Sequence, residues 1–141
     1  MFLKSVQKRF AKQLRFAFRH FPLAQIHPYA QSAAETAEFA GAHGRFWQMH
    51  DGLFENQASL GVPLFFALAA ALDLPGEGLR TALEKGSYAS KVRNDFIGGV
   101  RSGVNGTPTF FIGGRRHDGS FDFAELVSAI DAALLRAKAT L

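Results

Sequence analysis

No cysteine occurs anywhere in the 141 residues. That absence excludes disulfides, thiolate nucleophiles and cysteine-based metal sites, and it leaves the redox compartment unmarked. Acidic residues are missing from the start of the chain. None precedes Glu35, whereas Lys4, Lys8, Arg9, Lys12, Arg15 and Arg19 all do. Long apolar runs are missing too. The most apolar stretch, Val62 to Leu72, falls short of the roughly 20 residues that cross a bilayer. Met1 to Gln13 alternates basic and apolar residues, so it lacks the unbroken apolar core of a secretory signal. These absences lead to the expectation of a soluble, cytoplasmic protein with no membrane partner.

What is present fits one domain of ordinary composition. Apolar residues make up 48% of the chain, and 15 Phe against two Met and one Trp predict an aromatic-rich core. The formal net charge is +4. Its basic cluster, Lys4 to Arg19, is able to attract phosphates or acidic surfaces. The plainer reading is a solvated face. No base-stacking aromatics stand exposed beside the charges, so a nucleic-acid partner is not expected.

The stretch Gly103-Val104-Asn105-Gly106-Thr107-Pro108-Thr109-Phe110-Phe111-Ile112-Gly113-Gly114 organises the rest. Gly103 and Gly106 permit backbone angles closed to other residues. Thr107-Pro108 is a candidate cis peptide, since X-Pro is the common place for one. Pro108 lacks an N–H and suits the first position of a strand. Thr109 to Ile112 reads as that strand, Gly113-Gly114 as a hairpin turn, and Arg115 to His117 as the return strand.

Before this stretch, Phe2, Leu3, Val6, Phe10 and Leu14 recur at helical spacing and predict a helix from Leu3 to about Gln13. Leu14 to His20 then alternates apolar and basic residues, which predicts a strand. Helices are predicted over Tyr29–Ala40, Arg45–Phe54, Val62–Leu74, Gly78–Lys85 and Tyr88–Arg101. The one from Val62 is apolar almost all round and so expected to be mostly buried. Gly103 is expected to cap the last of these. Asp122 or Ser120 is expected to cap a final helix with the stripe Phe123, Leu126, Val127, Ile130 and Leu134.

Five pieces, in this order, resemble the DsbA-like branch of the thioredoxin superfamily. They are Arg15 to Leu23, His27-Pro28, the Ala-rich helix with Ala33-Ala34-Glu35, Phe46 to Gln57, and Gly103 to Ile112. The resemblance runs from about Leu14 to about Leu135. It implies an α/β, thioredoxin-like fold forming a single domain over residues 1–141, with a helical insertion at about 25–102. The family carries out thiol–disulfide exchange with protein substrates through Cys-x-x-Cys, which would fall upstream of Met1. The first strand and the cysteine corner are therefore expected to be missing.

Thiol exchange needs a thiolate, so the chain as written is expected to be redox-inactive, with no catalytic residue, no metal and no cofactor. Loss of a central strand leads to the expectation of a dimer or a rearranged sheet. The family's proline loop contacts substrate chains through its backbone, which makes Gly106, Thr107 and Pro108 the candidate polypeptide-binding residues. The alternative is a non-enzymatic module that binds a peptide or partner through this loop or through the sheet edge. The five histidines, His20, His27, His43, His50 and His117, fit no metal-ligand spacing. His50-Asp51 and the aromatics Phe46, Trp47, Phe54, Phe65 and Phe66 are read as packing residues.

Overall fold

A computed structural model describes residues 2–139. Two compact units emerge. One joins the described residues up to Phe18 with those from Gly106 onward; the other is Arg19–Asn105.

The first unit holds helix α1 (Phe2–Phe10), strands β1 (Phe110–Ile112) and β2 (Arg115–His117), and helix α7 (Phe123–Ala139). Val6 and Phe10 stand about one turn apart on α1, so both face the same way. They are buried against Leu126 and Ile130 of α7, with Leu3, Leu14, Phe110, Ile112, Val127 and Leu134 packed around them. The side chain of Phe2 lies outside the described residues. Phe123, expected on the same stripe, is exposed instead. It is the first residue of α7, before the helix reaches the core. Ala11 takes a left-handed φ of 47° and ends α1 in a short 3-10 turn, Ala11–Gln13.

The hairpin follows the sequence closely. Ile112 pairs with Arg115 and Phe110 with His117 in an antiparallel register. Gly113 and Gly114 form its two-residue turn with φ of 59° and 80°. Both values are positive, as such a turn requires.

Leu14 to His20 is not a strand. Among the described residues the sheet has only β1 and β2. The predicted alternation is nevertheless present in burial: Leu14, Phe16, Phe18 and His20 turn inward, whereas Arg15, Ala17 and Arg19 are exposed. Period-two patterning sets which side chains are buried, but a strand also needs a ladder partner.

The second unit is helical: α2 (Ala30–Ala42), α3 (Phe46–Glu55), α4 (Val62–Ala71), α5 (Gly76–Lys85) and α6 (Ala89–Arg101). Its core gathers Phe39 and Ala40 from α2, Met49 and Leu53 from α3, Phe65 and Ala69 from α4, and Leu79 and Ala82 from α5. Helix α4 departs from expectation twice. It stops at Ala71, because Asp73 turns left-handed at φ 57°. Asp73 N–H then bonds Ala70 C=O at 3.1 Å and Leu74 N–H bonds Ala69 C=O at 2.8 Å, the Schellman closure of a helix end. It is also far from buried all round. Only Phe65 and Ala69 are fully inside, and Val62 is 46% exposed. Alanines at 67, 70 and 71 let an outer face look apolar in sequence while exposing little surface per residue. The aromatic-rich core is likewise only partial, since Phe10, Phe39 and Phe65 are buried but Phe54, Phe111, Phe121 and Phe123 are exposed. No helix among the described residues is long and apolar enough to cross a membrane.

Candidate functional site

Helix α6 delivers the chain to the proline loop through a closure of the same kind. Gly103 takes φ 86°, its N–H bonds Val100 C=O at 3.1 Å, and Val104 N–H bonds Gly99 C=O at 2.9 Å. This is the cap expected of Gly103, and the positive φ is why glycine suits it. Gly106 differs from expectation. It is not in the left-handed region, and a Cβ there would meet nothing within 4 Å. Glycine is not demanded at 106 by either angle or space.

The Thr107–Pro108 peptide is cis. Thr107 and Pro108 are both exposed, while Thr109 and Phe110 turn partly inward. Thr109 Oγ1 donates to Gly106 C=O at 2.7 Å, closing the loop across its own base. Among the described residues no hydrogen bond is found for Thr107. Of the three candidate residues, Thr107 and Pro108 are exposed, while Gly106 is half-buried with its carbonyl taken by Thr109. Chemically the segment can pair with an extended chain; its side chains supply no acid, base or nucleophile suited to bond making.

The histidines are dispersed in role. His20 is buried, and its Nε2 lies 2.8 Å from Glu38 Oε2. His20 N–H donates to Asp95 Oδ2 at 3.1 Å, and Lys91 Nζ reaches both Asp95 oxygens at 2.8 Å. Arg19 adds a looser contact to Asp95 at 3.8 Å. His50 Nδ1 lies 3.1 Å from Asp51 Oδ1, and its ring packs between Trp47 and Phe54. His43 Nδ1 meets its own helix at Phe39 C=O, 3.0 Å away. His117 Nε2 sits 2.6 Å from Ser120 C=O. Among the described residues no three His, Asp or Glu side chains gather as metal ligands. Trp47 and Phe54, read as packing residues, are 43% and 44% exposed, so only Phe65 of the five aromatics is fully core. The Asp95 network escaped the sequence reading because His20 and Asp95 lie 75 positions apart.

A helical unit, a β-hairpin entered through a cis-proline loop and a covering C-terminal helix define a thioredoxin-like α/β domain. The chain belongs to the thioredoxin family, and the family described as Thioredoxin matches residues 2–132. Curated relatives are longer proteins. The chain is 43% identical over 120 residues to the Na(+)/H(+) antiporter NhaA 1 of Salinispora arenicola, covering 85% of this chain and 18% of that protein. It is 40% identical over 125 residues to the Na(+)/H(+) antiporter NhaA 3 of Salinispora tropica, covering 89% and 19% respectively. With the Na(+)/H(+) antiporter NhaA 1 of Mycolicibacterium gilvum it shares 33% over 132 residues, 92% of this chain and 21% of that protein. The chain thus spans about a fifth of the length of these relatives. No solved structure gives a significant match.

Proposed function

We propose that the chain is a DsbA-like thioredoxin module without redox activity, which holds an extended polypeptide at Gly106-Thr107-Pro108 and works in the cytoplasm beside an antiporter of the NhaA type. The observation that carries this reading is the exposed Thr107–Pro108 backbone in a chain that contains no cysteine. Pairing of an exposed backbone segment with a peptide backbone needs no thiol. The antiporter link rests on the relatives, in which a segment like this chain is one part of a larger protein. Thiol exchange itself is outside the chemistry of these side chains.

The test is fluorescence anisotropy with a labelled, reduced and alkylated unfolded polypeptide. Binding is expected, and Pro108→Ala, which removes the exposed ring beside the Thr107 backbone, is expected to weaken it by about tenfold, the effect of losing about 1.4 kcal/mol. Equal binding by the variant, or none by the parent, would overturn the reading. Insulin reduction with glutathione is expected to stay at background. A second reading is self-association that extends the sheet by edge pairing. It is favoured by the small sheet, whose two strands have three residues each, because an isolated two-stranded hairpin is marginal. Light scattering at the mass of a dimer supports it, and a monomer at all concentrations removes it.

A further inference from the structure

The chain has three asparagines, and a different residue follows each: Gln57 after Asn56, Asp95 after Asn94 and Gly106 after Asn105. An asparagine side chain carries its own electrophile, the amide carbon Cγ. The backbone nitrogen of the next residue is the nucleophile in reach, because joining the two closes a five-membered ring without any second molecule. Ring closure depends on how uncommitted that nitrogen is and how easily the backbone turns toward the side chain.

Two of the three asparagines are held. Asn94 lies inside α6, where the Asp95 N–H belongs to the helical ladder. Asn56 caps α3, and its backbone N–H and its Nδ2 both donate to Gly52 C=O, at 3.2 and 2.8 Å. Asn94 would have to break its helix to react, and Asn56 would have to give up its side-chain bond. Asn105 is placed otherwise. It is exposed and lies between α6 and β1, outside any helix or strand. Among the described residues no hydrogen bond is found for its side chain or for the Gly106 N–H. Gly106 has no side chain to crowd the approach, and the place where a Cβ would stand meets nothing within 4 Å. Its carbonyl is held by Thr109 Oγ1 at 2.7 Å, so the loop stays formed while the nitrogen is left uncommitted.

We infer that Asn105–Gly106 is a site of spontaneous deamidation, at which the Gly106 nitrogen attacks Asn105 Cγ. The bond from that nitrogen to Cγ forms, and the bond from Cγ to Nδ2 breaks. Ammonia leaves with the proton that the Gly106 nitrogen gave up, and a cyclic imide remains. Water then opens the ring at one of its two carbonyl carbons. Opening at Cγ gives aspartate. Opening at the backbone carbonyl carbon of residue 105 gives isoaspartate, whose main chain runs through Cβ and Cγ and gains a carbon. Water is the co-reactant, and no oxidation or reduction occurs. Either product places a carboxylate at position 105 and lowers the net charge by one. The site adjoins Thr107–Pro108, but the reaction needs no bound peptide and goes beyond the peptide reading.

The experiment is incubation of the full, folded chain at neutral and at mildly alkaline pH, followed by tryptic digestion and chromatography with mass detection. A sample digested at the start corrects for reaction during digestion. The peptide from Ser102 to Arg115 is expected to gain the mass of OH in place of NH2 and to split into isoaspartate and aspartate forms. Its conversion should outrun that of the peptides carrying Asn56 and Asn94 by about tenfold or more, a barrier difference of at least about 1.4 kcal/mol. The rate should rise with pH, because the Gly106 nitrogen attacks once its proton is lost. Gly106→Ala crowds the nitrogen and should slow conversion by about tenfold. The variant strains no left-handed angle and meets no atom, and circular dichroism melting checks its fold. Asn105 outlasting Asn56 or Asn94, aspartate formed without isoaspartate, or Gly106→Ala reacting at the parent rate would each overturn the inference. Peptide binding is measured on fresh protein, so either reading can fail without the other.

Discussion

The two units solve the same problem with different means. Residues 19–105 bury a large apolar cluster from four helices, together with five polar side chains, His20, Glu35, Thr36, His50 and Asp95. The unit of α1, the hairpin and α7 closes over four fully buried residues among those described, Val6, Phe10, Leu126 and Ile130. The first arrangement spends its polar chemistry internally, on a carboxylate held by a lysine and a buried backbone amide. The second exposes Thr107 and Pro108 and the basic side chains of Lys8, Arg9, Lys12 and Arg15. The difference teaches that the smaller core leaves its charged groups at the surface, while the larger one takes a carboxylate network inside. Elements that engage ligands are commonly drawn from the less stable parts of a fold.

The sharpest way to break that contrast is Phe10→Ala. Phe10 is 2% exposed and, among the described residues, is the only aromatic fully buried in its cluster. Removing it is expected to cost about 3–5 kcal/mol. Hydrogen exchange should then show lost protection in α1, β1, β2 and α7 while α2 to α6 keep theirs. Loss of protection in step across both units would show one cooperative body and end the comparison.

A smaller effect probes the other side. Asp95 accepts from the His20 amide and from Lys91, and its side chain is 4% exposed. Asp95→Ala leaves the His20 N–H without that acceptor, at a cost of about 1–3 kcal/mol. Lys91 is half in solvent, so Lys91→Gln should cost less than about 1 kcal/mol. Urea unfolding of both variants checks the order. Equal costs would mean that the ion pair, and not the buried amide, is what Asp95 serves.

How much of this was readable beforehand depends on how local each cause is. The Gly113-Gly114 turn and the Gly103 cap were legible because a few neighbouring residues decide them. The Thr107–Pro108 loop was legible for the same reason, and so was the lack of acid before Glu35. Leu14 to His20 shows the limit: its alternation forecasts which side chains turn inward, yet strand formation depends on a partner that the segment's own residues cannot specify. The exposed face of α4 and the exposure of Trp47 depend on what covers them. The His20–Asp95 bond joins distant parts of the chain. Gly106 was over-read, since a glycine in a loop does not by itself imply a left-handed angle.

The smallest expected effect concerns the start of α7. Asp122 Oδ1 accepts from Glu125 N–H at 2.9 Å, and Ser120 Oγ donates to Oδ2 at 3.0 Å. The Glu125 amide, and then the Ser120 hydroxyl, hold the Asp122 carboxyl below its ordinary range. These bonds favour the charged form. A carboxylate with a lower pKa folded than unfolded stabilises the fold above the unfolded value and loses that contribution as pH falls through the folded one. Asp122→Asn keeps an oxygen for the Glu125 amide but cannot ionise. The parent should therefore be slightly more stable than the variant at neutral pH, and the gap should close on acidification through the ordinary carboxylate range, about pH 4 and below. Melting curves across that range test it, and hydrogen exchange at α7 assigns the effect to the smaller unit. A gap that stays constant with pH would mean that the cap works through geometry alone.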